Sequence, residues 1–216
     1  DIVALSDGTV TLNPEVLSRM RQDKVQSLLK QSFVGPLLNA SVNAYLIKLG
    51  DRLILVDAGS GELYGPTLNK LPASLKAVGY TPEQITDILV THIHTDHTGG
   101  LMNGSVRVYP NATVHVDRRE VEHWLSPEKR AAAPEQARQY FDQAQLKLGP
   151  YVASGQVRTF DGATQLFPGL RSVPAYGHTP GHSFYVLESQ GEKIAFWGDI
   201  LHVAEVQLPH PEVTIQ

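Results

Sequence analysis

The sequence predicts an α+β fold, with two β-sheets packed together and helices on the outside. Three observations lead there. Short apolar runs bounded by Gly, Asp, Asn or Pro recur along the chain and read as strands. Gly50-Asp51 and Gln190-Gly191 each separate two such runs by a bare turn, which points to hairpins and antiparallel pairing. Longer stretches of helical character interrupt the strands. With 216 residues, 42% of them hydrophobic, the chain can bury one sizeable core, and a single domain over residues 1–216 is expected.

The elements follow in order. Ile2–Leu5 is expected to be the first strand, so these opening residues are not expected to be a signal peptide, which leaves open a leader removed before them. A helix is expected over Pro14–Leu29, then strands over Asn43–Leu49 and Leu53–Val56. Pro66–Val78 reads as the second helix, Asp87–Thr91 and Thr113–Val116 as strands, and Arg118–Leu125 and Pro134–Leu148 as helices. Three of the four helices open on proline, whose missing N–H costs nothing in the first turn. The other follows Asp117, a good N-cap. Ser183–Glu188 and Lys193–Trp197 complete the strands.

Composition excludes several roles. The net charge is −4, with no basic run, so nucleic acid is not an expected partner. The absence of cysteine rules out disulfides and thiolate-held metal, and leaves the redox compartment open. No apolar stretch approaches the ~18 residues needed to cross a bilayer. Localisation, whether cytoplasmic or bacterial periplasmic or secreted, is left undetermined.

The chemistry concentrates in Thr91–Gly100, THIHTDHTGG, directly after the apolar run Ile88-Leu89-Val90. Three imidazoles and a carboxylate on one short loop suit zinc and similar divalent metals. Residues two apart in a strand share a face, so His92 and His94 can converge on one ion. Asp96 and His97, past the turn, can address a second. A distant cluster supplies the remainder. Tyr176-Gly177-His178-Thr179-Pro180-Gly181-His182 is a turn with two histidines, and Phe196-Trp197-Gly198-Asp199 ends an apolar run on an aspartate. Such a carboxylate is costly to bury unless paired or metal-bound. Asp199 has two oxygens and can bridge two cations, while His178 can join His92 and His94. His182, just before the next strand, is expected to fix the loop.

These motifs, with Val56-Asp57-Ala58-Gly59, resemble the metallo-β-lactamase superfamily. The resemblance implies a four-layer αββα sandwich with two metal ions at one rim of the sheets. It implies that His92, His94 and His178 hold one ion, that Asp96 and His97 hold the other, and that Asp199 bridges them. Asp57 is then a residue that steadies the loop. Segments such as Ala4–Val10, Tyr64–Leu68, Gly99–Met102, Trp124–Ser126 and Val186–Gly191 are similar to the methyl parathion hydrolase branch. That likeness implies hydrolysis of aryl esters, lactones and phosphotriesters by a homodimer. It maps the aromatic substrate pocket to Tyr64, Trp124, Tyr140 and Phe141.

The sequence departs from that branch twice. The family takes a further histidine for the second ion well after the bridging aspartate. Only 17 residues follow Asp199, and neither His202 nor His210 is where that ligand belongs. The chain is therefore expected to stop short of a late strand, a helix and the last ligand, and to hold the second ion weakly. The phosphotriesterase is apolar at the position of His202, whereas lactonases of this fold carry a tyrosine donor there. A donor aimed at an acyl oxygen favours a lactone, so a dihydrocoumarin-type lactonase with secondary organophosphate activity is the expected function. The expected cofactors are two divalent ions, zinc first, with manganese, iron, cobalt or nickel as alternatives. They would lower the pKa of water to about 7, with Asp199 placing the nucleophile and His202 donating to the oxyanion. Two alternatives stand beside this reading: a phosphotriesterase proper, and a metal-binding module of the same fold without turnover.

Overall fold

The computed structural model describes residues 1–215. Six strands form the larger sheet: β1 (Ile2–Leu12), β2 (Leu38–Leu49), β3 (Arg52–Val56), β4 (Asp87–Leu89), β5 (Thr113–Asp117) and β6 (Val157–Phe160), adjacent in that order. The smaller sheet is β7 (Gln165–Phe167), β8 (Leu170–Pro174), β9 (Ser183–Ser189) and β10 (Glu192–Phe196), also in order. The helices are α1 (Gln22–Gln31), α2 (Leu71–Ala77), α3 (Thr95–Thr98), α4 (Arg118–Trp124), α5 (Pro127–Ala132), α6 (Arg138–Ala153) and α7 (Ala204–Gln207).

The larger sheet is buried on both faces, and its sequence shows why. Successive side chains in a strand point to opposite faces, and here neighbours such as Leu46 and Ile47, Leu55 and Ile54, Ile88 and Leu89 are all apolar. Leu46, Leu55 and Ile88 pack with Leu71 and Leu75 of α2 and Phe141, Leu148 and Tyr151 of α6. Ile47, Ile54 and Leu89 pack with Phe167, Leu170, Tyr185, Leu187 and Phe196 of the smaller sheet. The outer face of the smaller sheet carries the exposed Arg171 and Ala195 and the half-buried Val173 and Phe184.

Both anticipated hairpins form, joining β2 to β3 and β9 to β10. Antiparallel pairing does not extend across the larger sheet, because β3, β4, β5 and β6 run parallel. Each of those connections passes through a helix, the crossover that parallel neighbours require. Strands β6, β7 and β8 carry too little alternation to stand out in the sequence.

The expected helix over Pro14–Leu29 does not form as one piece. Pro14–Val16 is a single 3-10 turn, Leu17–Ser18 pairs with Thr214–Ile215, and Arg19 turns the chain at φ 65° before α1 begins at Gln22. Burial of Leu17 against Val203, Val206 and Val213 outweighs local helix preference. In the Pro66–Val78 stretch the helix starts only at Leu71, whose N–H donates to Asp7 Oδ1 at 3.0 Å, a cap supplied by a distant strand. The stretch from Pro134 opens with a 3-10 turn over Glu135–Ala137, becomes α-helical at Arg138 and runs on through Pro150 to Ala153. Helix α5, capped by Ser126, was not anticipated.

The connections gather the chemistry at one rim. Val56 of β3 is in register with Leu89 of β4, and Phe196 of β10 with Tyr185 of β9, so the loops leaving β3, β4 and β10 emerge together. Tyr185 Oη donates to Val90 O at 2.6 Å and Ser183 N to Thr91 O at 2.9 Å, tying the sheets at this edge.

Candidate metal centre

His92, His94, His178 and Asp199 offer one ligand atom each, all within 4.8 Å of one another. His94 Nδ1 lies 3.1 Å from both His92 Nε2 and His178 Nε2. Asp199 Oδ2 lies 3.3 Å from His178 Nε2 and 3.7 Å from His92 Nε2. The other oxygen of the same carboxylate, Oδ1, lies 3.2 Å from His97 Nε2, which is 3.5 Å from Asp96 Oδ2. One aspartate thus turns one oxygen to a three-histidine cluster and the other to an Asp–His pair.

The donor set fits divalent cations. A neutral ring nitrogen has one hydrogen or one lone pair, so hydrogen bonds cannot satisfy His94 Nδ1 against two imidazole nitrogens at once. A cation at their centre accepts all the lone pairs together. Ligands at ~2.0–2.2 Å in a tetrahedron stand about 3.3–3.6 Å apart, close to the separations here.

The hydrogen bonds behind these atoms set the tautomers. Thr91 Oγ1 donates to Asp57 Oδ2 at 2.9 Å, so His92 Nδ1, 3.1 Å away, is the donor to that hydroxyl. His97 Nδ1 donates to Asp57 Oδ2 at 2.8 Å. In their neutral forms both rings therefore keep the Nε2 lone pair for the cluster, an arrangement typical of metal-binding histidines. Asp57 holds φ 57° and also accepts from Thr91 N at 2.8 Å.

The electrostatics agree. Burial, then the neighbouring His178, holds His94 down at about 4, and burial, then His97, pushes His92 well below the usual histidine value. Both are neutral near pH 7, the form that binds metal. Burial opposes charge on Asp199, but His97 and hydrogen bonds from His178 and His202 hold it far below the carboxylate range. Burial also opposes charge on His97, yet Asp199, Asp96 and Asp57 raise it well above the usual value, so a cation there competes with a proton.

His182 stands outside the cluster. Its Nε2 accepts the Asp199 N–H at 3.0 Å and so holds the backbone of that aspartate. Gly198, at φ 57°, leaves room for this: a Cβ there would sit 2.6 Å from His182 Nε2.

A cavity of about 1180 Å³ opens from the cluster and is lined in part by Tyr64, Tyr140, Val42, Tyr45 and His202. Two of the anticipated pocket residues are not on its wall. Phe141 lies in the core under the larger sheet, because adjacent helical residues point about 100° apart and only Tyr140 can face the cavity. Trp124 is also buried; its ring meets His94 edge-on at 5.4 Å and Phe141 at 4.9 Å, supporting the ligand from behind. His202 reaches the site, with Nε2 3.0 Å from Asp199 Oδ2. Gln207 Oε1 accepts from the backbone N–H groups of His202 and Val203 and fixes that segment.

A profile of the metallo-β-lactamase superfamily matches residues 39–214. The chain belongs to that superfamily. Among solved structures, a hydrolase named AbOPH in the β-lactamase superfamily superposes with a TM-score of 0.93 and 35% identity, covering 99% of this chain and 75% of the other. AidC, a dizinc quorum-quenching lactonase solved with a product, gives 0.89 and 26%, covering 98% and 75%. An N-acyl homoserine lactonase of a Bacillus species is 29% identical over 175 residues, which are 72% of this chain and 62% of that enzyme. An atrochrysone carboxyl ACP thioesterase of Passalora fulva is 31% identical over 162 residues, 74% of this chain and 38% of that enzyme. The chain therefore spans less than two thirds of the length of the Bacillus lactonase and of the thioesterase. The likeness to longer superfamily structures bears out the expected sandwich.

Sequence reasoning passed over Thr91, Glu120 and Gln207. Glu120 is fully buried, yet it sits in Arg118-Arg119-Glu120-Val121-Glu122, where it looks like any surface acid of a helix. Only its partners distinguish it.

Proposed function

We propose that this protein is a dinuclear metal-dependent hydrolase that opens lactones and cleaves aryl esters, with phosphotriesters as secondary substrates. The observation that carries the reading is the division of Asp199, one oxygen toward His92, His94 and His178 and the other toward Asp96 and His97. Two divalent cations held by these residues would supply Lewis acidity and a nucleophilic water at neutral pH. Likeness to lactonases, one of them dizinc, supports the lactone assignment.

The chain's own residues supply the rest. Asp199, with one oxygen facing each cluster, can orient the nucleophile, and its carboxylate can accept a proton and pass it to the leaving oxygen. His202, on the cavity wall, can turn the N–H it gives to Asp199 Oδ2 toward an acyl oxygen when substrate enters. Tyr64 and Tyr140, both partly exposed in the cavity, give an aromatic wall for the substrate body. Zinc is the first choice for both ions, and a homodimer is the proposed assembly.

Steady-state rates on metal-loaded protein with dihydrocoumarin, an aryl ester and paraoxon test the ranking. The lactone should turn over fastest, and faster paraoxon turnover would make a phosphotriesterase of it. His202→Leu should lower lactone turnover more than phosphotriester turnover; equal losses remove His202 from the mechanism. Elemental analysis should find two metal ions per chain, whereas one or none with no turnover would favour a silent binding module.

A further inference from the structure

Glu120 is fully buried in α4, and three N–H groups donate to it. Ile93 N donates to Oε2 at 2.7 Å, Gly181 N to Oε1 at 2.6 Å, and Trp124 Nε1 to Oε2 at 3.0 Å. These partners have something in common. Ile93 stands between His92 and His94. Gly181 belongs to the turn that carries His178 and immediately precedes His182. Trp124 rests edge-on against the His94 ring. One carboxylate therefore holds both ligand-bearing loops, which lie far apart in the chain, and the ring that backs one of the ligands.

The close approach is built in. A Cβ on Gly181 would lie 2.9 Å from Glu120 N and 3.0 Å from Glu120 Cγ, so the turn can come this near the helix only because that residue is glycine. An acceptor-only group is the right chemistry, since three donors converge and a buried amide hydrogen facing them would be unmatched. Asp57 does the comparable work behind His92 and His97, but it touches neither His94 nor the turn bearing His178.

We propose that Glu120 is a positioning residue for the metal centre: by clamping Ile93 N and Gly181 N to its two oxygens, it sets the separation of His94 from His178. This rests on the metal-centre reading above. It goes beyond that reading in assigning the geometry of the three-histidine cluster to a carboxylate that binds no ion itself.

Binding of Co²⁺ and Zn²⁺ to the full chain, followed by competition with a chromophoric chelator and by the visible Co²⁺ spectrum, tests it. Loss of a partner behind metal ligands costs about 10–100-fold in affinity. Glu120→Gln, which keeps the volume but turns an amide N–H toward a donor, should weaken the tighter ion about tenfold and alter the Co²⁺ band. Glu120→Asp, which keeps the charge but withdraws it by one methylene, should fall between Gln and wild type. A role in folding alone would lower the thermal midpoint of both variants and leave affinity and spectrum as in wild type; that result, or affinities within twofold of wild type, overturns the proposal. If Glu120→Gln does not fold, Glu120→Asp decides on the same criteria. Should Glu120→Asp also fail to fold, Gly181→Ala takes its place, because the added Cβ would meet Glu120 N at 2.9 Å and push the turn off the carboxylate: weaker binding with an altered Co²⁺ band supports the clamp, and wild-type affinity and band refute it. Wild-type protein that takes up no cation would instead refute the metal-centre reading, a result distinct from a failure of Glu120.

Discussion

Asp57→Asn isolates the second metal position. Asp57 Oδ2 accepts from His97 Nδ1 at 2.8 Å and from Thr91 Oγ1 at 2.9 Å, while Oδ1 accepts from Thr91 N at 2.8 Å. Asparagine can keep the Thr91 N bond through its carbonyl oxygen, but its NH₂ then faces His97 Nδ1. A ring nitrogen opposite a donor must become an acceptor, so the His97 proton moves to Nε2. That nitrogen is the one facing Asp96 and Asp199, and it loses its lone pair to the N–H. Removing such a supporting partner lowers metal affinity by about 10–100-fold, or about 1.4–2.7 kcal/mol. Thr91 Oγ1 also meets the new NH₂, but its second lone pair can still accept from His92 Nδ1 while its proton turns toward His97 Nδ1, so the three-histidine cluster keeps its contacts and the loss should fall on one ion only. Calorimetric titration of metal-free protein with Zn²⁺ should show the tight class nearly unchanged and the weaker class displaced by that factor. Metal-free protein should also lose about 1.5–3 kcal/mol of stability in urea, the range for a hydrogen bond to a charged group. Equal weakening of both classes, or of neither, would refute the tautomer argument.

Further outcomes follow from the same geometry. Phe141→Ala should cost about 3–5 kcal/mol in chemical denaturation, whereas Tyr140→Ala should leave stability within about 1 kcal/mol and raise KM for aromatic esters; the reverse pattern would mean that the two side chains have been assigned to the wrong faces. Gly198→Ala should destabilise the protein by about 1–3 kcal/mol, because its φ of 57° and the nearby His182 ring leave no room for a Cβ; a thermal midpoint like that of wild type would contradict this. Burial, then His178, holds His182 down at about 4. Between about pH 4 and the unfolded value near 6.5, the unfolded chain carries a proton that the folded ring does not, so this group makes stability fall as pH drops through that window. Urea midpoints of metal-free protein at several pH values should show a shallower loss in His182→Gln than in wild type, and identical slopes would exclude His182 as a source.

Much of the site was legible in the residues themselves, because metal ligands come from few residue types and here cluster at short range. His92, His94, Asp96 and His97 stand on one loop, and strand periodicity alone brings the first two together. His178 and Asp199 were readable as chemistry out of place, an imidazole in a Gly/Pro turn and a carboxylate after an apolar strand. The hairpins at Gly50 and Gln190, and the helix after Asp117, were equally local and equally visible. The folded chain settled matters that no local pattern holds. Parallel pairing of β3 through β6 depends on crossovers, so the run Asp87–Leu89 looks the same in either sense. Tyr140 and Phe141 are neighbours of similar character, and only the packing of α6 sends one to the cavity and the other to the core. Glu120 and Gln207 gain their meaning from partners dozens of positions or a turn away. A polar side chain's role is set by which donors and acceptors reach it when water is removed, and that is a property of the assembled structure.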